Sequence, residues 1–132
     1  MLLILDRHNG IPAYRQIMDQ VKFQIAAGKL QAGESLPSTR ALAEQLAINP
    51  MTISKAYSLL EHEGVLERRP GMPLVVSSGS GNGQPQARRE QLREHLAPAA
   101  VQALQLGASP EEACEVFKEL LANHHKQGNT ET

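Results

Sequence analysis

Leu36-Pro37-Ser38-Thr39-Arg40-Ala41-Leu42-Ala43-Glu44-Gln45-Leu46-Ala47-Ile48-Asn49-Pro50-Met51-Thr52-Ile53-Ser54-Lys55-Ala56-Tyr57-Ser58-Leu59-Leu60-Glu61-His62-Glu63-Gly64 holds two helix starts separated by a sharp turn. Ser38 is suited to cap the first, because its hydroxyl can accept from an amide that has no partner in the opening turn. Leu42, Ala43 and Leu46 then share one face of a helix of about two and a half turns. Asn49 and Pro50 restart the helix, Asn49 as cap and Pro50 at the first position, where its missing N–H costs nothing. Ile53, Ala56, Tyr57 and Leu60 form the buried face of this second helix. Gly64 ends it, and Val65 is placed to pack back on Leu60.

Toward the N-terminus, Leu2 to Leu5 reads as a short apolar strand, followed by a helix starting at Pro12. Tyr14, Ile17, Met18, Val21 and Ile25 fall on one face of that helix, and Gly28 stops it. Lys29 to Leu36 reads as a loop. Beyond Gly64, Val65 to Arg69, Pro70-Gly71-Met72 and Pro73 to Val76 read as strand, turn and strand. Two short helices with a tight turn and a following hairpin define a winged helix-turn-helix over residues 1–76.

Residues 77–86, Ser-Ser-Gly-Ser-Gly-Asn-Gly-Gln-Pro-Gln, have the composition of a flexible linker. Two helices follow over 87–125, with a disordered tail expected at 126–132. Leu92, Leu96, Ala99, Ala100 and Ala103 mark one face of the first, with Leu104 adjoining. Pro98 lies inside it and predicts a kink or break near Glu94, since proline removes one backbone hydrogen bond. Gly107 closes this helix. Ser109-Pro110-Glu111-Glu112 is a capping box ahead of Ala113, Val116, Phe117, Leu120 and Leu121. About forty residues in two helices cannot bury their apolar stripes alone. A second copy of the chain is the simplest cover, the chain's own winged helix the alternative. The predicted architecture is mainly α with a small β wing, and the candidate dimerisation residues are Leu92, Leu96, Ala100, Leu104, Val116, Phe117, Leu120 and Leu121.

On the second helix of the turn motif, Met51, Thr52, Ser54, Lys55 and Ser58 point away from the buried face, mostly near its N-terminus. Such residues of a recognition helix reach base edges in the major groove of duplex DNA. The exposed amides at its start favour phosphate. Arg40 and Lys55 can add ionic contacts at the flanks, and Arg68 and Arg69 can reach phosphate or the minor groove from the wing. Taken singly, a polar helix face is usually just solvated, and two arginines on a hairpin are an ordinary charged edge. Their order along the chain is what points to DNA.

Charge is the counterweight. The formal net charge is −1, with eight basic against seven acidic side chains in residues 1–76 and five against seven in 77–132. DNA contact must therefore come from a local cluster and not from a global field. No Trp and only four Phe and Tyr residues leave no stacking platform for single strands. Cys114 is the single cysteine, which excludes an internal disulfide and a multi-thiolate zinc site. His124 and His125 are adjacent and diverge on a helix, so they do not chelate one ion. No nucleophile, paired-carboxylate or phosphate-loop motif is visible, so neither enzyme activity nor a cofactor or metal is expected. Met1 to Leu5 lacks a basic segment and is cut short by Asp6-Arg7, which is unlike a signal peptide, and a cytoplasmic location with no membrane partner is expected.

Pro12-Ala13-Tyr14-Arg15-Gln16-Ile17, Leu36-Pro37-Ser38-Thr39-Arg40-Ala41-Leu42-Ala43, Asn49 to Tyr57, and Leu60-Glu61-His62-Glu63-Gly64 resemble, at consistent spacing, the GntR family of bacterial regulators. The likeness covers about residues 4–76. With little chain beyond the wing, and with Asn-Pro opening the recognition helix, the sequence is similar to the YtrA subfamily. That resemblance implies homodimeric repressors, often of neighbouring transporter genes, that pair through two C-terminal helices. It implies that Arg40 contacts the DNA backbone or a base, that Asn49 to Lys55 approach the major groove and that Gly71 lets the wing tip near the minor groove. With the residues read above, the candidate DNA surface is Ser38, Arg40, Asn49, Pro50, Met51, Thr52, Ser54, Lys55, Ser58, Arg68, Arg69 and Gly71. Many relatives carry Arg where Pro50 stands and a lysine at the wing tip, so the operator and the wing contact are expected to differ. The rival reading is a winged-helix module that binds protein instead of DNA. An effector is not legible in the residues.

Overall fold

The computed structural model describes residues 1–78 and 85–130. Five helices and one hairpin follow in order: α1 (Ala13–Ala26), α2 (Thr39–Leu46), α3 (Pro50–His62), β1 (Leu66–Glu67), β2 (Val75–Val76), α4 (Pro85–Gln105) and α5 (Pro110–Thr130). The chain divides into two compact units, Met1–Gln91 and Leu92–Thr132. Mainly helical structure with a two-stranded wing is the class read from the sequence.

In the first unit α3 packs against α1, α2 and β1. Ile17, Val21, Leu42, Ile53, Ala56, Leu60 and Val76 are fully buried there, and Leu3, Leu30, Leu36, Leu66 and Leu74 close the core. Burying a Leu or Ile side chain contributes about 1.5–3 kcal/mol, so this cluster is the main support of the small domain.

The predicted caps are present. Ser38 Oγ accepts from Ala41 N at 3.1 Å, and Asn49 Oδ1 accepts from Met51 N at 2.9 Å. Between α2 and α3 the chain reverses through Ala47, whose φ of 55° is left-handed without glycine. Only glycine adopts that region freely, so the turn carries local strain offset by packing on both sides. Gly64, at φ 80°, makes the stop after α3: Val65 N donates to Leu60 O at 2.9 Å, the long-range bond of a Schellman motif.

Several expectations are corrected. Pro12 is not the first residue of α1 but its cap, with ψ 146° and its carbonyl accepting from Gln16 N. Leu2 to Leu5 is not a strand. Ile4 N donates to Gln20 Oε1 at 2.9 Å, while Gln20 Nε2 and Gln24 Nε2 donate to the carbonyls of Ile4 and Leu2. Glutamine side chains of α1 thus satisfy this backbone, which leaves the segment no need of a partner strand. The stretch before Leu36 is the loop expected from the sequence, and it is tied to the wing: Ser35 bridges Val75, and Gly33 N and Leu36 N donate to Val76 O and Leu74 O.

Of the linker expected over 77–86, residues 79–84 lie outside the described residues, while Pro85 and Gln86 stand in the first turn of α4. The backbone of α4 stays helical through Pro98, so the expected break does not occur. Gly107 (φ 76°) ends α4, with Ala108 N donating to Ala103 O. Ser109 Oγ accepts from Glu112 N at 3.1 Å and opens α5, which runs to Thr130 where a disordered tail was expected from 126. Among the described residues α4 and α5 do not pack along each other, and Ala103, Ala108 and Ala113 beside the turn are the half-buried positions of the second unit.

Candidate nucleic-acid interface

The first three turns of α3 expose Pro50, Met51, Ser54, Lys55 and Ser58, with Thr52 half-buried. Met51 is 76% exposed, an apolar side chain held out at the helix start with nothing covering it. The opposite face is anchored. Tyr57, buried against α2, donates its hydroxyl to Pro37 O at 2.9 Å and fixes α3 against the entry to α2. Burial pushes this phenol up to about 12, so it remains a neutral donor at physiological pH.

Ser38, Thr39, Ser54, Ser58, Arg68 and Pro73 line an open cleft of about 350 Å³ between the start of α2, α3 and the wing. Three serine hydroxyls, a threonine and a guanidinium facing one cleft can donate to an oxyanion from several directions. Ser38 uses one lone pair in its cap and keeps its proton to donate, and the Asn49 amide likewise keeps its NH2. Thr39 and Pro73 belong to this cleft and were not among the residues read from the sequence. Their signal was only positional, next to Ser38 and after the wing turn.

The cations are not equivalent. Arg68 lies 3.6 Å from Glu61 and Arg69 3.4 Å from Glu67, so both wing arginines already face carboxylates. Arg40 is exposed and forms no ion pair among the described residues. Lys55 Nζ sits 4.0 Å over the ring of Tyr14, a cation–π contact that ties α3 to the first turn of α1. The sequence placed Lys55 on the outward face but gave no sign of this partner. Gly71 (φ 71°) forms the wing tip, where Met72 N donates to Arg69 O at 3.1 Å. Of the residues read from the sequence, the cleft brings together Ser38, Ser54, Ser58 and Arg68, while Arg40 and Gly71 lie outside its lining and Arg69 is half-buried on the wing.

In the second unit Leu92, Leu96, Leu104, Val116, Phe117, Leu120 and Leu121 are all exposed within the chain, Leu104 at 78% and Leu120 at 50%. Ala100 is exposed beside them, as are Val101 and Leu106, which the sequence reading did not include. No helix among the described residues is long and apolar enough to cross a membrane.

A two-helix turn motif followed by a hairpin defines a winged helix-turn-helix regulator. The chain belongs to the GntR family: the description "Bacterial regulatory proteins, gntR family" matches residues 13–76. It is 31% identical over 122 residues to the HTH-type transcriptional repressor YtrA of Bacillus subtilis, spanning 92% of this chain and 94% of that one. A GntR-family transcription factor, YtrA from Sulfolobus acidocaldarius, is 34% identical with a TM-score of 0.57, over 76% of this chain and 99% of its own. A GntR family transcriptional regulator from Listeria monocytogenes superposes with a TM-score of 0.70 at 25% identity, over 87% and 98%. The YtrA-type likeness therefore extends past the winged helix into α4 and α5. The chain is a transcription regulator and not an enzyme.

Proposed function

We propose that this regulator binds operator DNA as a homodimer, with α3 in the major groove, and represses its own and neighbouring genes, transporter genes among them. The observation that carries the reading is the α3 start: a rigidly anchored helix exposing Met51, Ser54, Lys55 and Ser58 beside a hydroxyl-lined cleft with Arg68. Residues of these types at a recognition-helix N-terminus can read base edges while the cleft takes phosphate. Repression is supported by the Bacillus subtilis relative, a repressor by name. Pairing through α4 and α5 is supported by their uncovered leucines, and residues 1–76, 77–86 and 87–125 serve as reader, linker and dimerisation segment. A cytoplasmic location follows from that role.

A mobility shift on duplex DNA from upstream of the protein's own coding region, titrated with salt, tests this. Saturable, competitor-resistant binding is expected. Arg40→Ala and Lys55→Ala should each flatten the slope of log K against log salt by about 0.9 for each phosphate contact removed. Equal binding to this and to unrelated DNA contradicts operator recognition, and absence of binding to either favours the protein-binding module.

A further inference from the structure

We propose that Arg7, on the segment ahead of α1, is a further DNA-contacting residue that grips a backbone phosphate beside the recognition helix; this rests on the operator-binding reading above. Arg7 is exposed, and its guanidinium reaches Ala47 O at 3.4 Å, in the turn between α2 and α3 and just ahead of the Asn49 cap. One of its five N–H donors is engaged there, and the remainder are available to an anion. No carboxylate among the described residues lies within ion-pair distance of it, in contrast to Arg68 and Arg69.

The segment carrying Arg7 is built into the domain. Gln16, buried at the start of α1, accepts from Asp6 N at 2.8 Å and donates to Asp6 O at 2.7 Å and Ile11 O at 2.8 Å, with Asn9 Oδ1 at 3.2 Å. Asp6 and Asn9 each close a local turn, accepting from His8 N and Ile11 N. Downstream, the Tyr14 ring lies under Lys55 of α3. Residues 6–14 thus run beside the entry to α3, touching it from Ala47 at one end and Lys55 at the other. The Asp6 carboxylate faces the His8 amide, so the positive group of this segment is Arg7. A fixed cation at that place supplies part of what the near-neutral chain and the engaged wing arginines do not.

The experiment measures the salt dependence of binding to the upstream DNA and to an unrelated duplex for the wild-type chain, Arg7→Gln and Arg7→Lys. Arg7→Gln should lower affinity about tenfold on both DNAs, as expected for losing a hydrogen bond to a charged group. It should also flatten the salt slope by about 0.9, and Arg7→Lys should restore that slope. Wild-type binding with an unchanged slope in Arg7→Gln overturns this inference alone. So does a loss that Arg7→Lys fails to restore, because charge is then not what matters. No binding by the wild-type chain to its upstream DNA sinks the operator reading itself.

Discussion

Leu120→Asp, introduced alone or with Phe117→Asp, is expected to turn the proposed dimer into a monomer and to weaken operator binding by about 10²- to 10⁴-fold, with the winged helix still folded. Leu120 and Phe117 lie one turn apart on α5, with Val116 and Leu121 adjoining, and all are exposed within the chain. An apolar stripe of this kind is stable in water only when something covers it, and a carboxylate at its centre loses hydration without gaining a partner. Linked readers bind the second half-site at high effective concentration, and that gain, two to four powers of ten, is lost with the dimer. Sedimentation equilibrium gives the oligomeric state and a binding titration the affinity. A wild-type chain that is monomeric at micromolar concentration, or a Leu120→Asp dimer, contradicts the pairing role.

Leu60→Ala should destabilise the winged helix by about 3 kcal/mol, the cost typical of a Leu→Ala cavity in a packed core. Leu60 is fully buried in the core cluster on α3, and its carbonyl receives the Val65 amide that turns the chain into the wing. For a domain of this size that loss lowers the melting temperature by on the order of 10–20 °C. Leu2→Ala, at a side chain 72% exposed and outside the candidate interfaces, should leave the same transition nearly unmoved. Equal shifts in the two variants are incompatible with a core centred on α3.

The features legible in the sequence were those decided within one turn of the chain. Ser38, Asn49 and Ser109 each cap the helix that follows because donor and acceptor are two or three residues apart. Gly64 and Gly107 stop their helices for an equally local reason, a positive φ. What escaped depends on partners far along the chain. The glutamine ladder from α1 to residues 2–6 replaces a strand partner, and Lys55 finds Tyr14 across forty-one positions. Pro98 does not break α4. An interior proline removes one hydrogen bond, and α4 stays helical around it. At the candidate site, the outward face of α3 followed from periodicity alone. The pairing of Arg68 with Glu61 did not, since it depends on how the hairpin folds back on α3.

Near-neutral charge is compatible with DNA binding when cations are placed and not merely numerous. Arg40 at the start of α2, Lys55 on α3 and Arg7 beside the α2–α3 turn stand on three different segments, and none of them forms an ion pair among the described residues. On the proposed homodimer, such an arrangement would give modest affinity to each protomer and leave specificity to two protomers acting together.

Hydroxyl-radical footprinting of the wild-type protein on its own upstream DNA tests the central claim most directly. Two protected patches related by two-fold symmetry are expected, their centres about one helical turn or a whole multiple of it apart, as two α3 helices on one face of the duplex require. Absence of protection, or a single patch without symmetry at saturating protein, would contradict the account.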